Sequence, residues 1–282
     1  MTIVIKVGGA RAVDPAGALA DVSSLVEDGE DVVVVHGGST AVDDTLERLG
    51  IEPTYVETPS GVVGRFTDEE TMEVFEMVFG HLNTQLVAGL QSQGVDAVGL
   101  SGVDGKLLHG PRKSAVRVVE DGKKKIKRGD HSGTIREVNV DLLESLFDGG
   151  YTPVASPPMA GKDDDEILPV NTDADRSAAA IAAALDATLV LLTDVEGIYA
   201  DPDDSETLIE SVETGEEWED LEDAAEGFMG RKVMAAEEAL DGGSPEVVVA
   251  DANADEPILS ALDGDGTHLL QDALADREEA EQ

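Results

Sequence analysis

Short apolar runs alternate along the chain with longer segments whose apolar residues recur every three or four positions. That alternation predicts an α/β protein built on a mostly parallel sheet. Ile3–Val7 is the first expected strand. Asp14 to about Glu27 follows as a helix, with Asp14 as its cap and Pro15 in its first turn. Asp31–Val35 is continuous in β-branched residues, as a strand buried on both faces requires. Ser39–Leu49 reads as a second helix capped by Ser39 or Thr40. Thr67–Gln93 reads as a long helix opening on the capping-box pattern Thr67-Asp68-Glu69-Glu70, and Asp96–Leu100 as the next strand.

Lys106 to Ile135 has the look of short antiparallel strands around a turn at Glu120-Asp121-Gly122. A helix over Asp141–Phe147 ends at Gly149-Gly150, and Thr152–Ala155 is again a strand. The polar, turn-like stretch Gly161–Glu166 then separates two modules, 1–160 and 161–282, with 106–135 a hairpin insertion in the first. The second module repeats the alternation: an Ala-rich helix over Asp173–Leu185, a buried strand over Thr188–Thr193, a helix over Met229–Leu240, a strand over Glu246–Ala250 and a short helix over Glu256–Leu262. Residues 201–226 hold 13 acidic residues and no basic one, which predicts a solvated, loop-rich segment. Asp276–Gln282 is expected to fray.

Charge changes the picture. Of 282 residues, 61 are acidic and 19 basic, a net charge of −42. This balance excludes the usual nucleic-acid reader, whose affinity rests on Lys and Arg neutralising phosphates. With 41% hydrophobic residues, the chain still has the means to bury a sizeable core. The acidity has two readings, a surface for one partner or adaptation to concentrated salt. Its spread along the chain favours the second, because at molar salt a Debye length of about 3 Å screens self-repulsion. The absence of cysteine excludes thiolate catalysis and Cys-ligated metal centres. No apolar run approaches the roughly 20 residues that span a bilayer. The N-terminus enters a strand-like run without a signal-peptide pattern, so the expectation is a cytoplasmic protein without membrane or nucleic-acid partners.

Five elements carry possible chemistry. Lys6-Val7-Gly8-Gly9 ends a strand in a lysine and two glycines, whose N–H groups can approach an anion closely. The alternative is a plain strand-to-helix turn. Val35-His36-Gly37-Gly38-Ser39 repeats the pattern, and two such turns on neighbouring strands would share the sheet edge where open α/β sheets bind ligands. Neither turn is a dinucleotide or P-loop fingerprint. Val170-Asn171-Thr172-Asp173-Ala174-Asp175 precedes the Ala-rich helix, where Asp173 could simply be an N-cap. Leu192-Thr193-Asp194-Val195-Glu196-Gly197-Ile198-Tyr199 follows a buried strand and could be only its turn. Gly227-Phe228-Met229-Gly230-Arg231-Lys232 brings basic residues directly after the acidic run, where a lysine is ordinarily solvated.

In this order, from Lys6 to about Ala250, the elements resemble the amino acid kinase family and its acetylglutamate kinase branch. Arg65-Phe66-Thr67-Asp68 with Glu73–Val78, and Val98–Gly105, are similar to that branch's substrate loop and next strand–loop. Gly61–Asp68 and His131-Ser132-Gly133-Thr134-Ile135 look closer to the subgroup that phosphorylates glutamate or aminoadipate attached to LysW, a small acidic carrier protein. The resemblance implies a three-layer αβα sandwich, with 1–160 an amino-acid-substrate lobe and 161–282 an ATP-binding lobe. It implies transfer of the γ-phosphoryl of ATP, with Mg²⁺ bound through the phosphates, to a side-chain carboxylate. No protein metal ligands are implied. The carboxylate is already a nucleophile, so catalysis is positioning and charge neutralisation.

By motif match, Lys6 and Lys232 stabilise the transferring group from two sides, and Asp173 orients both lysines. The N–H groups of Gly8, Gly9, Gly37 and Gly38 hold phosphate or the attacking carboxylate. Arg65 pairs with the substrate's α-carboxylate or its amide-linked equivalent. Asn171 bonds near the blocked amine, and Thr193, Asp194 and Tyr199 line the nucleotide site. The resemblance further implies a homodimer without arginine feedback. Ser39 and Phe228 depart from glycines common in the family and put the local backbone there in question.

Nine of the 19 basic residues lie within 106–128, opposed only by Glu120 and Asp121. Lys123, Lys124, Lys125, Lys127 and Arg128 are the candidates for docking an acidic carrier; the alternative is a hairpin with a solvated positive face. Two other functions stand beside the main one: a conventional acetylglutamate kinase acting on the free metabolite, and a catalytically silent binding or regulatory protein of the same fold.

Overall fold

A computed structural model describes residues 1–8, 15–59, 61, 63–120, 122–225 and 227–274. In chain order these form β1 (Thr2–Val7), α1 (Pro15–Glu27), β2 (Asp31–His36), α2 (Ser39–Leu49), β3 (Tyr55–Glu57), β4 (Val63–Arg65), α3 (Glu69–Ser92) and β5 (Ala97–Gly102). Next come β6 (Leu108–Glu120), β7 (Lys123–Gly133), β8 (Glu137–Val138), α4 (Val140–Asp148), β9 (Thr152–Asp163), β10 (Glu166–Val170), α5 (Ala174–Ala184) and β11 (Thr188–Thr193). The chain closes with β12 (Ser211–Val212), α6 (Gly215–Ala224), α7 (Gly227–Asp241), β13 (Glu246–Asp251), α8 (Pro257–Asp263) and β14 (Thr267–Leu270).

One sheet runs β12-β14-β13-β11-β1-β2-β9-β6-β7, with β5 and β10 also on β9 and β8 on β6. Its centre is parallel: β13, β11, β1, β2 and β9 pair in register, Lys6 lying beside Leu191 on one side and Val35 on the other. Alternate residues of β1 face opposite layers. Val4 enters a core with α5 and α7, while Ile3, Ile5 and Val7 enter one with α1, α3 and α8. These layers make the αβα sandwich, and they set Lys6, on the parity of Val4, against α5 and α7. Residue 160, where the two modules are expected to meet, lies within β9, and the turn expected in Gly161–Glu166 comes at Asp164, whose φ is +50°. Among the described residues no helix is long and apolar enough to cross a membrane.

Several local expectations are corrected. The long helix is capped by Asp68, which accepts the Thr71 N–H at 2.9 Å, and not by Thr67, which is buried and turned into the fold. The residue ahead of α2 is Gly38, with no side-chain cap from Ser39 or Thr40. The acidic stretch 201–226 is not all loop. It contains α6, opened by a capping box of Thr214 and Glu217 and anchored by fully buried Trp218 and Leu221, three residues apart on one face. The hairpin β3–β4 and strands β10 and β14 were not foreseen. Asp14, Asp121 and Asp276–Gln282 lie outside the described residues.

Candidate functional site

The parallel strands β1, β2 and β11 end side by side, and their C-terminal ends carry Lys6 with Gly8, His36 with Gly37, and Thr193 with Asp194. Opposite them, α5 begins at Asp173 and α7 carries Lys232. The centre of the arrangement is a carboxylate between two ammonium groups. Asp175 Oδ1 lies 2.7 Å from Lys6 Nζ, and Asp175 Oδ2 lies 3.2 Å from Lys232 Nζ. Their side chains are only 9%, 13% and 12% exposed for Lys6, Asp175 and Lys232. Burial alone would raise the Asp175 carboxyl, but the two ammonium groups outweigh it and hold it below the usual carboxylate range. Burial, reinforced by the like charge of Lys6, pushes the Lys232 ammonium down, and Asp175 only partly restores it. Two cations sharing one counter-charge have electrostatic capacity to spare for an added anion.

The partner of both lysines is thus Asp175 and not Asp173. Asp173 is the N-cap of α5, accepting the N–H groups of Asp175 at 2.8 Å and Arg176 at 3.2 Å. Its side chain is committed to the helix end, which sets the backbone from which Asp175 reaches inward.

The second glycine turn also departs from expectation. The Gly37 N–H donates to the Val7 carbonyl at 3.3 Å, so that donor serves the fold and not a ligand. Gly38 is buried against α3; a Cβ there would come within 2.6 Å of Leu82 Cδ1. Gly8 closes the described part of the first turn, and Gly9 lies outside the described residues.

Arg65 ends β4, and its side chain is folded down. Its guanidinium pairs with Asp43 Oδ1 at 2.6 Å, donates to the Ser39 carbonyl at 3.0 Å, and lies over the Phe75 and Tyr55 rings at 5.2 and 5.8 Å. Its Nε is buried with no hydrogen-bond partner among the described residues. Ser39, the residue in doubt after the glycine pair, therefore contributes through its backbone. Asn171 lies between β10 and α5. Its backbone bonds to His131 and Gly133, and its Nδ2 donates to Thr67 Oγ1 at 3.1 Å. Arg231, beside Lys232, donates to the Val63 carbonyl, linking α7 to the hairpin that carries Arg65.

At the end of β11, Thr193 Oγ1 donates to Asp194 Oδ1 at 3.2 Å, and the Tyr199 hydroxyl donates to Glu196 at 3.1 Å. Lys123, Lys124, Lys125, Lys127 and Arg128 all lie on β7, antiparallel to β6. Lys125 pairs with Glu120 at 2.8 Å, and Lys127 is turned inward with its ammonium 4.1 Å from the centre of the Phe66 ring. Among the described residues no group of three or more His, Asp or Glu side chains could hold a metal ion.

Asp175, Asp43, Thr67 and Arg231 were missed. The available signal for Asp175 was the Asp-x-Asp pair at the helix start, where one carboxylate caps and leaves the second free.

Comparisons with known proteins bear on this geometry. Residues 1–251 match the sequence profile described as the amino acid kinase family. The chain is 44% identical over 269 residues to a [LysW]-aminoadipate kinase of Thermus thermophilus, covering 94% of this chain and 98% of that one. It is 42% identical over 268 residues to an acetylglutamate kinase of Methanopyrus kandleri, covering 94% and 98%. Among solved structures, an N-acetylglutamate synthase of Neisseria gonorrhoeae superposes with a TM-score of 0.72 at 25% identity, over 95% of this chain and 59% of that one. A Giardia lamblia carbamate kinase bound to AMP-PNP shares the fold, with a TM-score of 0.67 at 16% identity over 95% and 98%.

Proposed function

Because the chain belongs to the amino acid kinase family, we propose that it transfers the γ-phosphoryl group of ATP to the side-chain carboxylate of glutamate or 2-aminoadipate held on a LysW-type carrier. A carboxylate oxygen attacks the γ-phosphorus, the bond to the β-phosphate oxygen breaks with its electron pair, and an acyl phosphate and ADP result. The ionised carboxylate needs no general base. The observation that carries this reading is the buried Lys6–Asp175–Lys232 array at the C-terminal edge of the parallel sheet. It offers two fixed cations to the charge spread over the transferring group and building on the leaving phosphate.

In this reading residues 1–160 hold the acyl acceptor and 161–282 the nucleotide. Lys6 and Lys232 neutralise the transferring group, and the N–H of Gly38, with those of Gly8 and Gly9, holds phosphate or carboxylate. Arg65 receives the α-carboxylate or its amide-linked equivalent, which its unpartnered buried Nε supports. Asn171 serves the blocked amine, and Thr193, Asp194 and Tyr199 serve the nucleotide. Mg²⁺ is carried on the phosphates, which needs few protein ligands.

Relatives that bear the LysW name support the carrier-linked substrate, as does the exposed basic hairpin of β6 and β7 in a chain of net charge −42. Blocking the α-amine keeps it from cyclising onto the activated side chain, a need that an acetyl group on a free metabolite also meets. The similarity to an acetylglutamate kinase keeps that second substrate in the test. The products belong to lysine or arginine biosynthesis, and a homodimer in a saline cytoplasm completes the reading. Steady-state assay in molar KCl with carrier-linked aminoadipate, carrier-linked glutamate and free N-acetylglutamate tests it. The expected result is a higher kcat/KM for a carrier-linked substrate. A preference for the free metabolite would overturn the carrier.

A further inference from the structure

His36 ends β2 on the parity of Val32 and Val34, and so faces the α3 layer, away from Lys6. It is 3% exposed and stacked on Phe79, ring centroids 5.8 Å apart at an interplanar angle of 22°. Its Nδ1 is 2.9 Å from the Gly37 carbonyl oxygen, and its Nε2 is 3.3 Å from Asn83 Nδ2. Asn83 Nδ2 also donates to the Val154 carbonyl of β9 at 2.8 Å. A carbonyl can only accept, so Nδ1 must carry the proton. The Asn83 amide nitrogen can only donate, so Nε2 must be bare. The two hydrogens of one amide nitrogen thus serve Val154 and His36 and select a single tautomer. Gly99 makes room for this amide, since a Cβ there would fall 2.0 Å from Asn83 Oδ1.

We propose that His36 is a positioning residue for phosphoryl transfer: its Nδ1–H pins the Gly37 carbonyl and thereby aims the Gly38 N–H at the transferring or attacking group. In a trans peptide the carbonyl and the following N–H point in opposite directions. Drawing the Gly37 carbonyl toward the buried ring, which lies on the α3 side, turns the Gly38 N–H the opposite way, away from α3. The Gly37 N–H, held by Val7, fixes the turn from its other side, and Leu82 and Phe79 pack beneath Gly38. One turn of α3 thus braces the whole peptide. Burial pushes the ring down to about 4, so it stays neutral and keeps its single donor at working pH. The inference rests on the proposed role of Gly38 in the kinase reaction.

Two substitutions separate the donor from the bulk. Asparagine places its amide nitrogen near Nδ1, whereas glutamine places it near Nε2. His36→Asn is expected to keep kcat/KM for the acyl acceptor within roughly threefold, and His36→Gln to lose roughly 10- to 100-fold, with KM for ATP unchanged in both. Equal kinetics in the two variants at matched melting temperatures would overturn the proposal. The ring ¹⁵N shifts of the unsubstituted protein give a second readout, independent of substrate and of variant folding. They should report the Nδ1–H tautomer for His36, and an Nε2–H tautomer would overturn the pinning outright. Failure of the kinase reading itself has a different signature: no acyl phosphate from the unsubstituted enzyme, with the tautomer unaffected.

Discussion

Asp173 Oδ1 accepts the backbone N–H of Asp175 at 2.8 Å, so the residue that caps α5 also holds the residue that grips the two buried lysines Lys6 and Lys232. The two carboxylates, two positions apart, do unlike work, and substitution separates them. Asp175→Asn leaves two buried ammonium groups without a counter-charge. It is expected to cost roughly 3 kcal/mol of stability and to lower kcat about 100-fold or more. Asp173→Ala removes a cap, with an expected cost of about 1 kcal/mol and a fall in kcat of less than about tenfold. Urea unfolding alongside steady-state kinetics checks both; equal kinetic damage from the two would contradict the division.

Arg65 works through its planar shape. It meets Asp43, the Ser39 carbonyl and the Phe75 face at once, which an ammonium cannot do. Arg65→Lys is expected to raise KM for the acyl acceptor by roughly tenfold while kcat and KM for ATP change little. Initial-rate kinetics with each substrate varied in turn decides the point.

The basic hairpin divides into an inner and an outer part. Lys127 is turned onto Phe66, next to Arg65, whereas Lys123, Lys124 and Lys125 are exposed on β7. Reversing these three to glutamate is expected to raise KM for carrier-linked substrate and leave free N-acetylglutamate unaffected. Steering of this kind fades with salt, so the difference should shrink from low to molar KCl. An equal effect on both substrates would remove the hairpin from carrier recognition.

His36 also ties stability to pH. The unfolded chain takes up a proton near pH 6.5 that the folded ring, lowered to about 4 by its burial, refuses. Stability therefore falls as pH drops through that window, by on the order of 3 kcal/mol at its lower end. His268 runs the other way. Its hydrogen bond to Glu246 raises its proton affinity, so its contribution is present at low pH and lost as pH rises through the folded value. Urea titrations at pH 7, 5.5 and 4.5 on the parent and His36→Asn isolate the first term: the parent's extra loss on acidification should vanish in the variant.

The parallel centre of the fold was legible because β1, β2 and β11 are buried on both faces and so read as near-continuous apolar runs, interrupted in β1 by Lys6. Lys6 stood out as a cation beside glycines at a strand end in so acidic a chain, whereas Lys232, on α7, was picked out only by resemblance to the family. What escaped had competing signals. Trp218 and Leu221 mark one face of α6, but thirteen acidic residues around them dominate the pattern. The three-residue strands β3 and β4 are too short to show alternation. Asp173 and Asp175 could not be told apart in sequence, because which carboxylate faces the lysines depends on how α5 lies against β1 and α7. The bracing of Gly37 by His36 joins residues from β2, α3 and β9, a juxtaposition that no local window contains.

The product that distinguishes phosphoryl transfer by the Lys6–Asp175–Lys232 array to a carrier-held carboxylate is an acyl phosphate. Trapping the acyl phosphate with hydroxylamine tests that transfer most directly. The protein is incubated with Mg-ATP and carrier-linked aminoadipate or glutamate in molar KCl, and the hydroxamate is counted against ADP released. Stoichiometric hydroxamate and ADP are expected from the unsubstituted protein, with both reduced by orders of magnitude in Lys6→Ala and Lys232→Ala that melt like the parent. Undiminished hydroxamate from either lysine variant, or none from the unsubstituted protein with either substrate, would contradict transfer by the array.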